Sequence, residues 1–578
     1  MGKYFNKSDH WIAAALFTTG FALVFRGWLF SGFDAAFGDD EDGYLALALV
    51  EHWRHVFSGA VHWTDPIFFF PQGGVLGYTD AFFLFGVAHA PLRLAGVDAF
   101  TALMLVMAGT SAIGFFGFRH LAVRHFEIPP AWAAVGAFLF AFANMDAVKL
   151  IHIQAYGAML LPTICGLILS GWSSKRHGAG LGSAAGLLYA ALFLTAFQTA
   201  WFFGFFLLIL ALLHPLIYGP PQSRELIREI AISRRPVIVA AAAVFAIGIV
   251  PFLILYVPVF VSGHSRDFTE VASNMPEWSD LANVTPENAI WGRALERLGI
   301  TGQADDPVWE AELGFTPTVL VVFILGLAML ATRMRLPLSL LWERGRLARS
   351  SPSALSPARG GGGGRDARAP RGGSEMAADR AFVLLGAAVI ILWLLQMDYF
   401  GTRPWRAIWA AVPGAQAIRY TFRSQLVANL FVALVIARIL AAIARSRVST
   451  GLLCAVLIVE QINLAWPAVM SRRAALAWID GVPSPLAGCR IFYVSPHAGP
   501  PGRTGPQHQD DAMLLAEIRG IPTINGFSSW FPSGWALDDP ASPDYAVAVR
   551  SWADRNGIAE GLCGLEPRAG TWTAGLPN

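Results

Sequence analysis

Residues 37–53 read FGDDEDGYLALALVEHW. Four consecutive acids, Asp39, Asp40, Glu41 and Asp42, follow closely on an apolar run, 11–30. They stand directly before a stretch that predicts an amphipathic helix, with Leu45, Leu49 and Val56 along one face and Glu51, His52 and His55 decorating it. Acids favour a helix N-terminus by about 0.3–1 kcal/mol each, so any single one has a plain reading as a cap in a solvated loop. Four together where a chain leaves the membrane mark a functional position, because ionisable groups are costly there.

The rest of the chain supports a membrane setting for that loop. Of 578 residues, 55% are hydrophobic and only 14% charged, against about 25% charged in a soluble domain. That balance excludes an ordinary cytosolic enzyme. The 20 Trp and 41 Phe fit side chains in lipid and at its interfaces. A net charge of +2 gives no basic field for nucleic acid. Four cysteines without a CxxC pattern argue against a zinc or thioredoxin-type site.

Apolar runs long enough for spans, or nearly so, fall at 11–30, 98–118, 130–143, 156–171, 182–198, 201–218, 237–258, 314–331, 381–396, 422–443 and 450–467, about 11 in all. The stretch 81–96 is shorter and holds His89, Pro91 and Arg93, so it reads as a re-entrant or juxtamembrane helix. With the N-terminus inside, one set of loops collects Arg119, Arg124, Lys175, Arg176, Arg224, Arg228, Arg234, Arg235, Arg445 and Arg447, as the positive-inside rule requires. The opposite set is acidic: 263–312 carries ten Asp/Glu and three Arg. The first loop (31–97), the second (144–155), that acidic loop and the tail from 468 therefore face the exterior. The first apolar run lacks a small-residue cleavage site and reads as a retained span. Residues 340–380, rich in Gly, Pro and Arg, predict a disordered cytoplasmic linker. Residues 468–578 suffice for one small domain. Its Cys489 and Cys563, in an oxidising compartment, pair as a disulfide or remain two buried thiols.

The exterior loops carry further chemistry. TDPIFFFPQGGVLGYTDAFF (64–83) is a defined non-helical loop, with Phe68–Phe70 expected to dip into the interface and Asp80 near its end. The second loop offers Asp146, Lys149, His152 and Gln154. A lone histidine there is also readable as merely interfacial. Arg419 and Arg423, four apart on one expected helical face, suit a phosphate or pyrophosphate group, or snorkel to the interface. In the tail, Trp530, Phe531 and Trp535 read either as sugar-stacking aromatics or as the core of the small domain.

In these residues the chain resembles the GT-C superfamily of polytopic membrane glycosyltransferases, and more closely a poorly characterised bacterial group within it. The matching positions are Gly38-Asp39, Asp42, Glu51-His52, Phe68–Pro71, Thr79-Asp80, His152–Gln154, Glu312–Gly314, Pro413–Arg423 and IPTINGFSSWFP at 521–532. Each motif is weak alone; their order along a matching topology carries the likeness, which runs through most of the chain except the linker. The resemblance implies a mainly α membrane bundle over residues 1–467 with a small periplasmic α/β domain at 468–578. It implies transfer of a sugar, with inversion, from a polyprenyl-phosphate donor to a glycan, lipid or protein acceptor at the outer face of a bacterial inner membrane. Asp39 and Asp42 match the positions of the catalytic base, with Asp40 and Glu41 as extra acids beside it. In some members the first-loop acid binds a metal, so Asp39 and Asp42 are also candidate ligands for Mg2+ or Mn2+, although no cofactor follows with certainty. Glu51, His52, Asp80, His152, Gln154, Arg419 and Arg423 are the expected substrate-binding residues.

Two other classes compete. A lipid-linked glycan transporter or flippase would show internal repeats and helices broken at the midplane; no repeat is visible and the charges gather in exterior loops. A non-catalytic GT-C-like scaffold for envelope assembly remains open on sequence alone.

Overall fold

A computed structural model describes residues 7–145, 152–301, 312–347, 372–444, 447–464, 469–495 and 503–577. Lys3, Asp146, Lys149, Arg445 and the centre of the expected linker, 348–371, lie outside the described residues. The architecture is mainly helical with small sheets.

The membrane part is built from α1 (Lys7–Val24), α4 (Ala99–His125), α5 (Pro130–Ala141), α6 (Leu161–Ser173, entered through a 3-10 turn over Ile153–Leu160), α7 (Gly178–Phe193) and α8 (Phe197–Tyr218). It continues through α9 (Pro220–Ala231), α10 (Arg235–Gly248), α11 (Val250–Val261), α12 (Pro317–Leu347), α13 (Gly372–Gln396), α14 (Trp405–Ala411), α15 (Gln425–Ile443) and α16 (Arg447–Val459). Each expected span contains helix, yet among the described residues five segments are long and apolar enough to cross a membrane, or six if the bent α9–α10 pair counts as one. Several of the others are shorter apolar helices of 10–17 residues. The last expected span, 450–467, stops as a helix at Val459, where Glu460 and Gln461 turn inward as buried polar groups. Helices α12 and α13 extend into both ends of the expected linker.

The core sits around α15, which is buried along nearly its whole length. A helix apolar on all sides belongs inside a bundle, and α5, α6, α8, α12 and α13 surround this one. Two loop helices, α2 (Asp42–Phe57) and α3 (Phe83–Leu94), lie over one end of the bundle. The expected amphipathic α2 is buried on its polar side as well: Glu51 and His52 are fully buried and His55 nearly so.

The tail is docked on this end. Strand β1 (Ala35–Phe37) of the first loop pairs antiparallel with β2 (Val469–Ser471) at the start of the tail. Then come α17 (Arg472–Gly481), β3 (Ile491–Val494), α18 (Gly505–Arg519), α19 (Tyr545–Asn556), β4 (Leu562–Glu566) and β5 (Thr571–Thr573). β4 is central, parallel to β3 and antiparallel to β5. Helix α18 begins with a reciprocal capping box between Thr504 and Gln507, and a left-handed glycine, Gly520, ends it. Cys489 and Cys563 are disulfide-bonded across 74 residues.

The segment 521–526 clamps the first loop. Phe69 and Phe70 donate main-chain hydrogen bonds to the carbonyls of Asn525 and Thr523, at 3.0 and 2.9 Å, and Thr523 donates to Ile67 at 2.9 Å. Phe68 and Phe69 are therefore buried in protein and do not dip into the interface. Phe69 packs edge-on against Phe531 and Trp535, which stack on each other with centroids 5.0 Å apart. These two tail aromatics are core. Trp530 lies apart from them, with the Arg266 guanidinium 4.4 Å from its ring centre.

Candidate functional site

The first-loop acids divide by what their backbone allows. Gly38 has φ +102, and a Cβ there would meet the Gly43 main chain at 2.5 Å, so only glycine permits the tight entry into α2. Asp39 Oδ1 then accepts from the main-chain amides of Glu41 and Gly43, at 3.1 and 3.2 Å. Asp39 is the cap of this turn. Asp40 pairs with Arg503 of the tail at 2.8 Å, and Thr504 donates to Glu41 at 3.4 Å. Asp42, with its side chain 43% exposed, lies 3.4 Å from His152 Nδ1.

His152 stands at the rim of a cavity that is also lined by Asp80, Gln154, Gln198, Thr199, Leu313 and Arg423. Asp80 is held by its Oδ1, which accepts from the Phe197 amide at the start of α8 (2.9 Å). Burial pushes its carboxyl above the usual range, against the pull of that amide, Arg423 and His152. Arg423 enters from a 3-10 turn, Thr421–Ser424, that precedes α15. Leu313 is fixed by its neighbour: a Cβ on Gly314 would meet the main chain of Asn283 and Asp280 at 2.5 Å. Every one of these groups comes from a segment at the same end of the bundle, so five separated stretches of chain meet at one opening.

Three expectations change. Arg419 and Arg423 do not share a helical face, because Tyr420 is extended and the helix proper begins only at Gln425. Arg419 faces Glu270 of the acidic loop at 3.1 Å, while Arg423 lines the cavity. Both guanidiniums lie over the Tyr420 ring, at 5.0 and 5.4 Å. Glu51 and His52 are not lining residues either. The Glu51 carboxylate is forked by Arg93 at 2.8 and 3.0 Å, a bond between α2 and α3. His52 bonds the Trp63 carbonyl at 3.0 Å, and burial lowers its imidazole to about 4, leaving it neutral. Among the described residues no three His, Cys, Asp or Glu side chains are arranged to hold a metal ion.

Sequence reasoning missed Gln198 and Thr199. They fall at the end of the run 182–198 and in the two-residue seam before 201–218, and a polar pair at so short a connection was the available signal. It also missed Asp510, in the first half of α18, the helix that packs on α2. Asp510 is fully buried with no hydrogen-bond partner for either oxygen. Burial, with Asp42, Asp511, Glu41 and Asp39 around it, raises its carboxyl well above the usual range. Its neighbour Asp511 is forked by Arg568 at 2.7 and 2.8 Å.

No family model matches the chain, and no curated protein matches it. Among solved structures it is similar to the Archaeoglobus fulgidus oligosaccharyltransferase. The complex of that protein with Zn and sulfate aligns at a TM-score of 0.45 and 13% identity, covering 89% of this chain and 62% of that one. The apo form aligns at 0.45 and 13%, covering 97% and 69%. The complex of archaeal AglB, from the same organism, with an inhibitory peptide and a dolichol-phosphate aligns at 0.43 and 12%, covering 90% and 64%. The chain thus spans about 62% of the length of the first of these.

Proposed function

We propose that the chain is an inverting, GT-C-type glycosyltransferase that moves a sugar from a polyprenyl-phosphate donor to an envelope acceptor at the outer face of a bacterial inner membrane. The observation that carries this reading is the meeting of His152, Asp80 and Arg423 in one cavity, with Asp42 placed against His152 at 3.4 Å. Asp42 is the base: its exposed carboxylate takes the proton of the acceptor hydroxyl, and His152 orients it. The acceptor oxygen bonds to the anomeric carbon as the bond from that carbon to the phosphate oxygen breaks. The electron pair stays on the phosphate, which Arg423 stabilises. Asp80 fixes the start of α8 beside the leaving group.

The same geometry supports an exterior site. All lining segments lie on the face that the arginine distribution assigns to the outside, and the disulfide in the docked tail suits an oxidising compartment. The test is transfer itself. The purified chain in nanodiscs is given radiolabelled undecaprenyl-phosphate hexoses and envelope extract. Label passing to the extract, with release of undecaprenyl phosphate, is the expected result. Movement of intact donor between leaflets without release would instead establish a transporter.

A further inference from the structure

The cavity wall carries a polar atom, Gln198 Oε1, that the described residues leave unanswered. Gln198 Oε1 is buried and has no hydrogen-bond partner, although it belongs to the lining beside Thr199, Gln154, His152 and Arg423. A buried amide oxygen without a donor is disfavoured, and here it is held in place. Gln198 sits in the first turn of α8, whose leading amide, that of Phe197, is tied to Asp80 at 2.9 Å. The main chain at Gln198 is thereby anchored at the cavity wall.

An acceptor oxygen asks for a ligand O–H or N–H. The guanidinium of Arg423 in the same wall asks for an anion. A molecule meeting both demands carries a hydrogen-bond donor near a phosphate. A bare lipid phosphate answers only the second. We infer that Gln198 is a specificity-determining residue, accepting a hydrogen bond from a hydroxyl on the donor's sugar ring while Arg423 holds the phosphate. Gln198 thereby distinguishes the loaded donor from the spent lipid phosphate, which lacks that hydroxyl and leaves the oxygen unpaired. The inference rests on the glycosyltransferase reading and assigns the cavity to the donor sugar.

The experiment uses the full chain in nanodiscs and measures binding of undecaprenyl phosphate and of undecaprenyl-phosphate glucose, galactose and mannose. Wild type binds at least one sugar-bearing lipid about tenfold tighter than the bare lipid, as one recovered hydrogen bond gives. Q198M, close in shape but without the acceptor, loses that preference and keeps its affinity for undecaprenyl phosphate. Should Q198M fail to fold, Q198N, which withdraws the oxygen by one methylene, gives the same reading. A preference that survives either folded variant overturns the inference, as does an equal loss for bare and loaded lipids. Wild type that binds bare and loaded lipids equally defeats this inference alone. Wild type that binds none of them defeats the glycosyltransferase reading itself.

Discussion

Asp39 Oδ1 accepts from two main-chain amides, while Asp42, three residues on, keeps an exposed carboxylate beside His152. Two acids of one motif are thus given different work by one tight turn. The arginines separate in the same manner. Arg423 lines the cavity and Arg419 is spent on Glu270, so R423Q is expected to lower turnover by about 100-fold, the effect of losing a charge on the leaving group. R419Q is expected to stay within about threefold, as befits a partly exposed ion pair. Steady-state kinetics of the two variants check this; equal losses would contradict it. A second residue-scale prediction concerns Glu517, fully buried between α2 and the tail. Burial raises it to about 8, with the Ile67 amide opposing and Glu51 adding to the rise. An unfolded glutamate titrates near about 4.3. Between those values the folded chain keeps a proton that the unfolded chain has released, so this group's contribution to stability falls as pH rises from about 4 to 8. E517Q keeps the oxygen that accepts from Ile67 and removes the titration. Its thermal midpoint is expected to exceed wild type at pH 8, with the gap closing toward pH 5; a gap that is constant with pH would contradict the assignment.

The element on which the site depends is the clamp between the first loop and the 521–526 segment. Asn525 is its pin. Its Oδ1 accepts from the Val494 amide at 2.8 Å, and its Nδ2 donates to Gln509 and Tyr545 at 3.0 Å each. N525A removes all three and strands a buried amide, at a cost of about 3 kcal/mol. Limited proteolysis is expected to release the tail of N525A faster than that of wild type, and unchanged protection would contradict the role. The Pro-Thr-x-Asn-Gly motif was visible in the sequence, but its work was not, because nothing in 521–526 says that its partner is 67–70. The aromatic run shows the same gap. Phe68–Phe70 read as lipid-facing because composition alone cannot separate a membrane interface from a protein one. The apolar helices were legible from their runs, whereas the end of α16 at Val459 was not. There Glu460 accepts from Trp291 and Thr316 at 2.8 and 2.6 Å, a polar network that spacing does not announce.

At the scale of the molecule, the bundle and its loops line the cavity, and the docked tail braces the acidic turn beside it. The bundle supplies His152, Gln198 and Arg423, the first loop supplies Asp42 and Asp80, and the tail holds Asp40 through Arg503. Charge placement in the sequence was enough to find the end of the molecule where this happens, since acids and histidines gather in the loops that converge there. It was not enough to sort base from cap or cavity arginine from surface arginine, because those distinctions depend on one glycine turn and one 3-10 turn. The central claim is that Asp42 is the base of a sugar transfer at this opening, with Asp39 serving its turn. The most direct test compares D42N with D39N for sugar transfer from the polyprenyl-phosphate donor. Asparagine keeps the side-chain oxygen that accepts from the Glu41 and Gly43 amides, so D39N is expected to keep activity within about tenfold of wild type. D42N, unable to take a proton, is expected to lose at least about 100-fold. Undiminished transfer by D42N, or a heavier loss in D39N, would contradict the account.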